Sequence, residues 1–303
     1  MTAADPVDPV VPAYSARSAE PFSTRLLEQM DTLTTSERRV ARAILADYPL
    51  AGLDSVAALA GKAGVSAPTV LRLATKFGFS GWNQFQAVLR DEVSQRLASP
   101  LSMYEQVRAA PRPGDGVRGG AVLVDALGTT LARLKPEVLD SAVEMLTDPR
   151  ARIHVIGGRF SSSLGTYFAT HLQLIRPHVS AVSEIPVHRS NEVLDLGRSD
   201  VVVALDFRRY QRDTIDFGHA AAARGARVIL ITDPWLSPLV SSARLVLTVE
   251  TTSPSPFDSF VPAIAVLELL IHRIAESMGR ESLERMRSHD ELNQRFMLGQ
   301  ESQ

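Results

Sequence analysis

VAALAGKAGVSAPTVLRLATKFGF, residues 56–79, decides how the first half of this chain folds. Val56, Leu59 and Ala60 recur at spacings that place them on one face of a short helix. Gly64 supplies a tight turn and Val65 fills the angle behind it. Ser66 caps a second helix, with Pro68 in the first turn, where a missing N–H costs little. That helix is expected to bury Val70, Leu71 and Ala74, to leave Thr69, Arg72, Thr75 and Lys76 polar, and to close at Gly78. Two short helices joined by a glycine turn form a helix-turn-helix, whose second helix fits the major groove with its N-terminal residues at base edges. Ser66, Thr69 and Arg72 are the candidates for groove contacts. Lys76, Arg38 and Arg39 are the candidates for phosphate contacts, which position a protein without reading sequence. A plain helical bundle with a glycine turn is the competing reading.

Charge favours the first of these. The 303-residue chain carries a net charge of -2, yet Ser36–Arg90 holds seven Lys/Arg (Arg38, Arg39, Arg42, Lys62, Arg72, Lys76, Arg90) against Glu37, Asp47 and Asp54. Partner attraction follows such local asymmetry and not the total. Upstream, Thr35 or Ser36 can cap a helix from Glu37 to about Tyr48, with Val40, Ile44 and Leu45 on one face and Pro49 after its end. Asp54 or Ser55 can cap the next segment, and Ser80 precedes a helix from about Trp82 to Leu97. Residues 1–20 are rich in Pro, Ala and Asp and read as a disordered tail. They lack the cationic start and apolar core of a secretory signal.

Residues 99–120, SPLSMYEQVRAAPRPGDGVRGG, are dense in Pro, Gly and Arg and read as a linker. Residues 121–148 look helical again. Beyond them RIHVIGG (152–158), DVVVALDF (200–207), ARVILITD (226–233) and ARLVLTVE (243–250) are apolar runs suited to strands buried on both faces of a parallel sheet. Helical patterns at Thr214–Arg224 and Phe260–Met278 lie between and after them, so the second half reads as a doubly wound α/β unit. Residues after Arg280 are charged, helical and then frayed. The expected organisation is a tail (1–20), a helical DNA-binding unit (21–97), a linker and connector helix (98–135), an α/β ligand-binding unit (136–280) and a C-terminal tail (281–303).

No apolar run reaches the roughly 18 residues needed to cross a bilayer. The chain has no cysteine, which excludes disulfides, thiolate metal sites and cysteine nucleophiles and permits a cytoplasmic location. Its seven histidines show no metal-ligand spacing, and no cofactor motif is present.

LTTSERRVARAILADYP (33–49) followed by SVAALAGKAGVSAPTVLRLATKFGFSGWNQFQAVLRDEV (55–93) resembles the N-terminal domain of the RpiR/MurR family of transcriptional regulators. The SERRVA opening, the A-x-x-A-G-V-S-x-x-T-V-x-R segment and the F-G-F-S-G-W tail carry that resemblance. It implies a helix-turn-helix that binds palindromic double-stranded operators as a dimer, and a second domain of the SIS (sugar isomerase) type. Residues 138–280 are similar to such a domain, above all at GARVILITDPWLSPLVSSARLVLTV (225–249).

In VIGGRFSSS (155–163), Gly157, Gly158, Ser161, Ser162 and Ser163 lie between a strand and a helix N-terminus, where unpaired N–H groups attract anions. The family uses this loop to hold the phosphate of a phosphosugar. A second phosphate loop of S-x-S-G-x-T pattern is expected further on, but the chain reads LDFRRYQRDT (205–214) there. Asp206, Arg208 and Arg209 replace the small residues, and Thr214 remains. Two guanidinium forks suit carboxylate as well as phosphate, so the expected ligand is a small anionic metabolite, a phosphosugar or a sugar acid. Alternatively, Arg208 and Arg209 pair with Asp206 or Asp213 on a solvated loop.

The SIS fold also houses isomerases, so the rival reading is a sugar-phosphate isomerase with a fused DNA-binding domain. Glu184, His188, Glu192 and Asp258 are the available bases, but they form no recognisable acid/base pair, and no catalytic residues are assigned. Apolar side chains on Leu164–Leu174 and Val261–Ile274 exceed what one sheet face covers, which points to a homodimer or homotetramer.

Overall fold

The computed structural model describes residues 21–96, 99–109 and 116–298. The proposed tail at 1–20 lies outside the described residues. The first five helices are α1 (Phe22–Glu28), α2 (Thr35–Ala46), α3 (Val56–Ala63), α4 (Ala67–Lys76) and α5 (Trp82–Arg96). Their boundaries follow from local chemistry. Thr34, one residue before the expected cap, accepts from the Glu37 backbone N–H, and Glu37 reaches back to the Thr34 N–H, a reciprocal capping box. Ser55 caps α3. Gly64 then turns the chain at φ 61°, a left-handed conformation costly for any residue with a Cβ. The bundle closes on Phe22, whose ring meets Phe77, Phe79 and Phe85 edge-on at 5.1, 5.6 and 4.9 Å.

The stretch read as a linker is largely helical. Helix α6 spans Pro100–Ala109 and α7 spans Gly116–Arg133. Pro100 occupies a first-turn position, so a proline that signalled a break starts a helix instead. The helix expected over 121–148 is two, α7 and α8 (Pro136–Thr147), separated at Leu134–Lys135, with Pro136 opening the second.

The second half places β1 (Arg152–Gly157), α9 (Ser162–Ile175), β2 (Val179–Ala181), α10 (Pro186–Leu194), β3 (Asp200–Asp206), α11 (Arg212–Ala223), β4 (Arg227–Thr232), β5 (Leu245–Thr248), α12 (Val261–Met278) and α13 (Arg280–Leu298) in order. Among the described residues the sheet has five strands, all parallel, in the order β2-β1-β3-β4-β5. Alternate residues of β3 serve two cores. Val201, Val203 and Leu205 pack with α8, α9 and α12, while Val202 and Ala204 pack with Phe217 and Ala221 of α11. The two-domain reading, a helical bundle followed by a doubly wound sheet, therefore holds. Two elements were not anticipated. Strand β2 is three residues long and partly exposed, and α10 buries no residue.

Helices α9 and α12 bury most of the apolar residues expected to face a partner, while Val261 stays exposed and Leu174, Ile264, Leu269 and Ile271 are half-buried. Leu164, Phe168, Leu172, Val266, Leu267, Leu270 and Ile274 all lie in the sheet core. Exposed apolar side chains cluster elsewhere, at Ile185, Val187 and Leu194 around α10 and at Leu283, Met286, Leu292 and Phe296 on α13. No described helix is long and apolar enough to cross a membrane.

The bundle is seated on the sheet. Leu236, in the segment after β4, is buried within the bundle core, with Val240 and Val246 packed at its edge. Ser23 Oγ donates to the Pro234 carbonyl, and Arg133 lies 4.0 Å from Glu28.

Candidate functional site

Helix α4 presents Ser66, Pro68, Leu71, Arg72, Thr75 and Lys76 to solvent, while Val70, Leu73 and Ala74 face the core. Leu71 was expected inside. The helix is turned so that Leu73 takes that place, and Thr69 is buried at 5% exposure. Thr69 is a hub, with its hydroxyl 3.1 Å from Ser66 Oγ and accepting from Arg72 Nη2 at 3.0 Å. Three candidates for groove contact thus form one hydrogen-bonded chain along the N-terminal half of α4.

The three candidate phosphate contacts separate. Arg39 is exposed, and its guanidinium lies against the Gly64 turn, where a Cβ would come within 2.6 Å of Nη2. Arg38 is half-buried and donates to the Leu33 carbonyl at 3.1 Å. Lys76 spans from α4 to Glu37 and the Thr32 carbonyl, both at 3.1 Å. Of the candidate cations, Arg39 and Arg72 are therefore the two not tied to another helix or to a main-chain carbonyl.

The other candidates gather at the C-terminal ends of β1, β3 and β4, the edge where open α/β sheets bind ligands. Ser161 is inward and 4% exposed. It accepts from the Gly158 N–H at 2.9 Å and donates to the Leu205 carbonyl at 2.7 Å, pinning the β1 loop to the end of β3. Ser163 donates to the Phe160 carbonyl at 2.9 Å. Gly157 has to be glycine, because a Cβ would lie 2.4 Å from the Ser161 carbonyl oxygen. Gly158 sits under Gln211, whose Cγ would be 2.5 Å from a Cβ there. Thr214 is fully buried, and its hydroxyl has no hydrogen-bond partner among the described residues.

Asp206, at the end of β3, accepts from Ser237 Oγ at 2.5 Å and the Gln211 N–H at 3.1 Å. Burial nevertheless pushes its carboxyl up to about 7, with the neighbouring Asp233 adding to the rise and those two donors opposing it. Asp233 is likewise pushed up by burial, to about 6, while accepting from Tyr210 Oη at 2.7 Å, the Trp235 N–H at 2.9 Å and the Arg208 N–H.

Arg208 and Arg209 converge on Asp258, a partner neither expected pairing included. Arg208 grips both carboxylate oxygens, and Arg209, held at φ 73°, donates to Oδ2 at 2.8 Å. Asp213 belongs to Arg189 instead. The side chains of Arg208 and Asp258 are 7% and 6% exposed, and the Arg208 guanidinium lies 5.0 Å over the Trp235 ring. Asp258, one of four candidate bases, is thus committed to an ion pair. Of the others, Glu184 and His188 are exposed, and Glu192 accepts from the Ser183 N–H at 3.2 Å. Asp258 stands 49 and 50 residues from its two partners, so no local spacing announces it.

Residues 22–96 match the sequence model of the helix-turn-helix domain of the rpiR family, and residues 145–273 match that of the SIS domain. The HTH-type transcriptional regulator HexR of Pseudomonas aeruginosa is 30% identical over 257 residues, which cover 81% of this chain and 87% of that protein. The chain belongs to the RpiR family of transcriptional regulators. HexR of Escherichia coli, a second RpiR relative, is 27% identical over 81% of this chain and 83% of its own length. The sugar isomerase domain of an RpiR transcription factor from Sphaerobacter thermophilus superposes with a TM-score of 0.55 at 26% identity, covering 58% of this chain and 97% of that one. The helix-turn-helix and the parallel sheet described above are the two domains of this RpiR regulator.

Proposed function

We propose that this regulator binds a double-stranded operator through the exposed face of α4 and the adjoining Arg39, and senses a small anionic metabolite at the strand ends of its SIS domain. The units are those read from the sequence: DNA binding in 21–97, a connector in 98–135 and ligand binding in 136–280. The observation that carries the ligand class is the pair Arg208 and Arg209 sharing the single carboxylate of Asp258. Two guanidinium forks facing one carboxylate retain donors for a second anion, and their planar geometry suits a carboxylate or a phosphate. Ser162, half-buried in the first turn of α9, and the unpartnered Thr214 hydroxyl supply neutral donors nearby in sequence. A phosphosugar or a sugar acid meets these requirements. The regulator works as a homodimer or homotetramer, which a palindromic operator requires, and acts in the cytoplasm without catalysing a reaction.

A thermal-shift screen of sugar phosphates and sugar acids tests the ligand reading. A true ligand at one hundred times its Kd adds roughly 2.7 kcal/mol of stability. No shift from either class, with the protein folded and binding a duplex, overturns the sensing role. Turnover of a sugar phosphate by protein that binds no duplex selected from random sequence supports the isomerase reading instead.

A further inference from the structure

The contact between bundle and sheet falls on the strand-end cluster itself. Arg208 donates to the Gln95 carbonyl at 3.2 Å in the last turn of α5, and its Nη2 lies 3.4 Å from Met103 Sδ of α6. The next residue, Arg96, lays its guanidinium 4.4 Å over the Tyr210 ring and donates to the Tyr48 carbonyl within the bundle. Tyr210 in turn donates to Asp233. A cation of the DNA-binding bundle thus stands in the same polar cluster as Asp206, Arg208 and Arg209, beside the buried Tyr48, Asp206 and Asp233 and the half-buried Tyr210.

We infer that Arg96 is a ligand-site residue contributed by the DNA-binding bundle, and that the last turn of α5 transmits occupancy of the strand ends to operator binding. The inference rests on the ligand site proposed above. Arg208 has five N–H donors, and they serve Asp258, the α5 carbonyl and Met103 Sδ together. An anion that recruits Arg208 competes with these partners, so the end of α5 loses a hydrogen bond as the ligand gains one. The incoming charge also attracts Arg96, and a weakly screened site makes that attraction strong. Each effect repositions the helix that immediately follows the DNA-reading pair. The cation–π contact with Tyr210 holds Arg96 within reach without neutralising it.

Full-length protein is titrated onto a duplex selected from random sequence, with inorganic phosphate, glucose 6-phosphate or gluconate present at constant ionic strength and chloride as the reference. The quantity read is the ratio of operator Kd with and without the probe. For the wild type, at least one probe changes that ratio fivefold or more. Arg96→Ala brings the ratio below twofold, and Arg96→Lys, which keeps the charge and the ring contact, restores most of it. Arg96→Met keeps the side-chain bulk and gives the same loss if the alanine variant fails to fold. Calorimetric titration of the responsive probe shows weaker binding to Arg96→Met than to wild type, which a purely structural role for Arg96 would not produce. A wild-type ratio retained in Arg96→Met but abolished in Arg208→Ala overturns the inference and leaves the site intact. A wild type unresponsive to all three probes overturns both.

Discussion

Arg72 and Thr69 show how burial sorts residues of similar polarity. Arg72 is exposed and braced by Thr69, so its fork is aimed while its charge stays in solvent. Under the proposed function, truncating it removes a recognition contact, and it removes almost no packing. Arg72→Ala is expected to weaken operator binding by about 1–3 kcal/mol and to relax preference at one base position. Its unfolding free energy should change by less than about 0.5 kcal/mol. Fluorescence anisotropy against single-base operator variants, with urea unfolding alongside, measures both, and equal losses across all sequences would reassign Arg72 to phosphate.

Asp206 yields a prediction with a definite sign. Its carboxyl is raised to about 7 in the folded protein from an ordinary value of 3.8, chiefly by burial. Between those values the folded state holds a proton that the unfolded state has released, so this group's contribution is complete below about pH 4. It is lost as pH rises through 7. Asp206→Asn carries no such dependence and should be more stable than wild type at pH 8, with the advantage vanishing near pH 4. Urea unfolding at several pH values measures this, and parallel stability curves for the two proteins would show that Asp206 does not titrate as described.

At the scale of elements, caps and turns set the limits of helices that apolar periodicity only outlines. The Thr34–Glu37 capping box starts α2, whose Arg38 and Arg39 lie beside the reading helix. Thr34→Ala removes one half of the box and should cost about 1 kcal/mol of stability, measurable by chemical denaturation. Strands β3 and β4 were legible because each carries an unbroken apolar run, Val201–Leu205 and Val228–Ile231, the mark of a central parallel strand. Strand β2 was not, because an edge strand of three residues, two half-buried and one exposed, has no apolar run to read. Helix α6 was hidden by its composition. Proline and glycine signal breaks on average, but Pro100 occupies a first-turn position where it favours a helix.

Over the whole molecule, the helix-turn-helix bundle and the SIS sheet share a buried side chain. Leu236 belongs to the loop after β4 yet is 1% exposed within the bundle core. Leu236→Ala should destabilise the protein by about 2–5 kcal/mol. Calorimetry is expected to show one joint unfolding transition in the wild type and a separate, earlier bundle transition in the variant. An unaltered single transition would mean that the two halves are coupled through other contacts.

The chain's own pattern determined the two kinds of domain, the reading helix and the strand-end loops, because these depend on residues within a turn or a strand of one another. It did not determine which cations remain free. Arg39 and Lys76 look alike in sequence, yet one meets solvent and the other meets Glu37. Nor did it pair Arg208 and Arg209 with Asp258, or bring Arg96 above Tyr210. Those partners are tens of residues apart or more: the winding of the sheet domain makes neighbours of Arg208, Arg209 and Asp258, and the packing of the bundle on that sheet brings Arg96 over Tyr210.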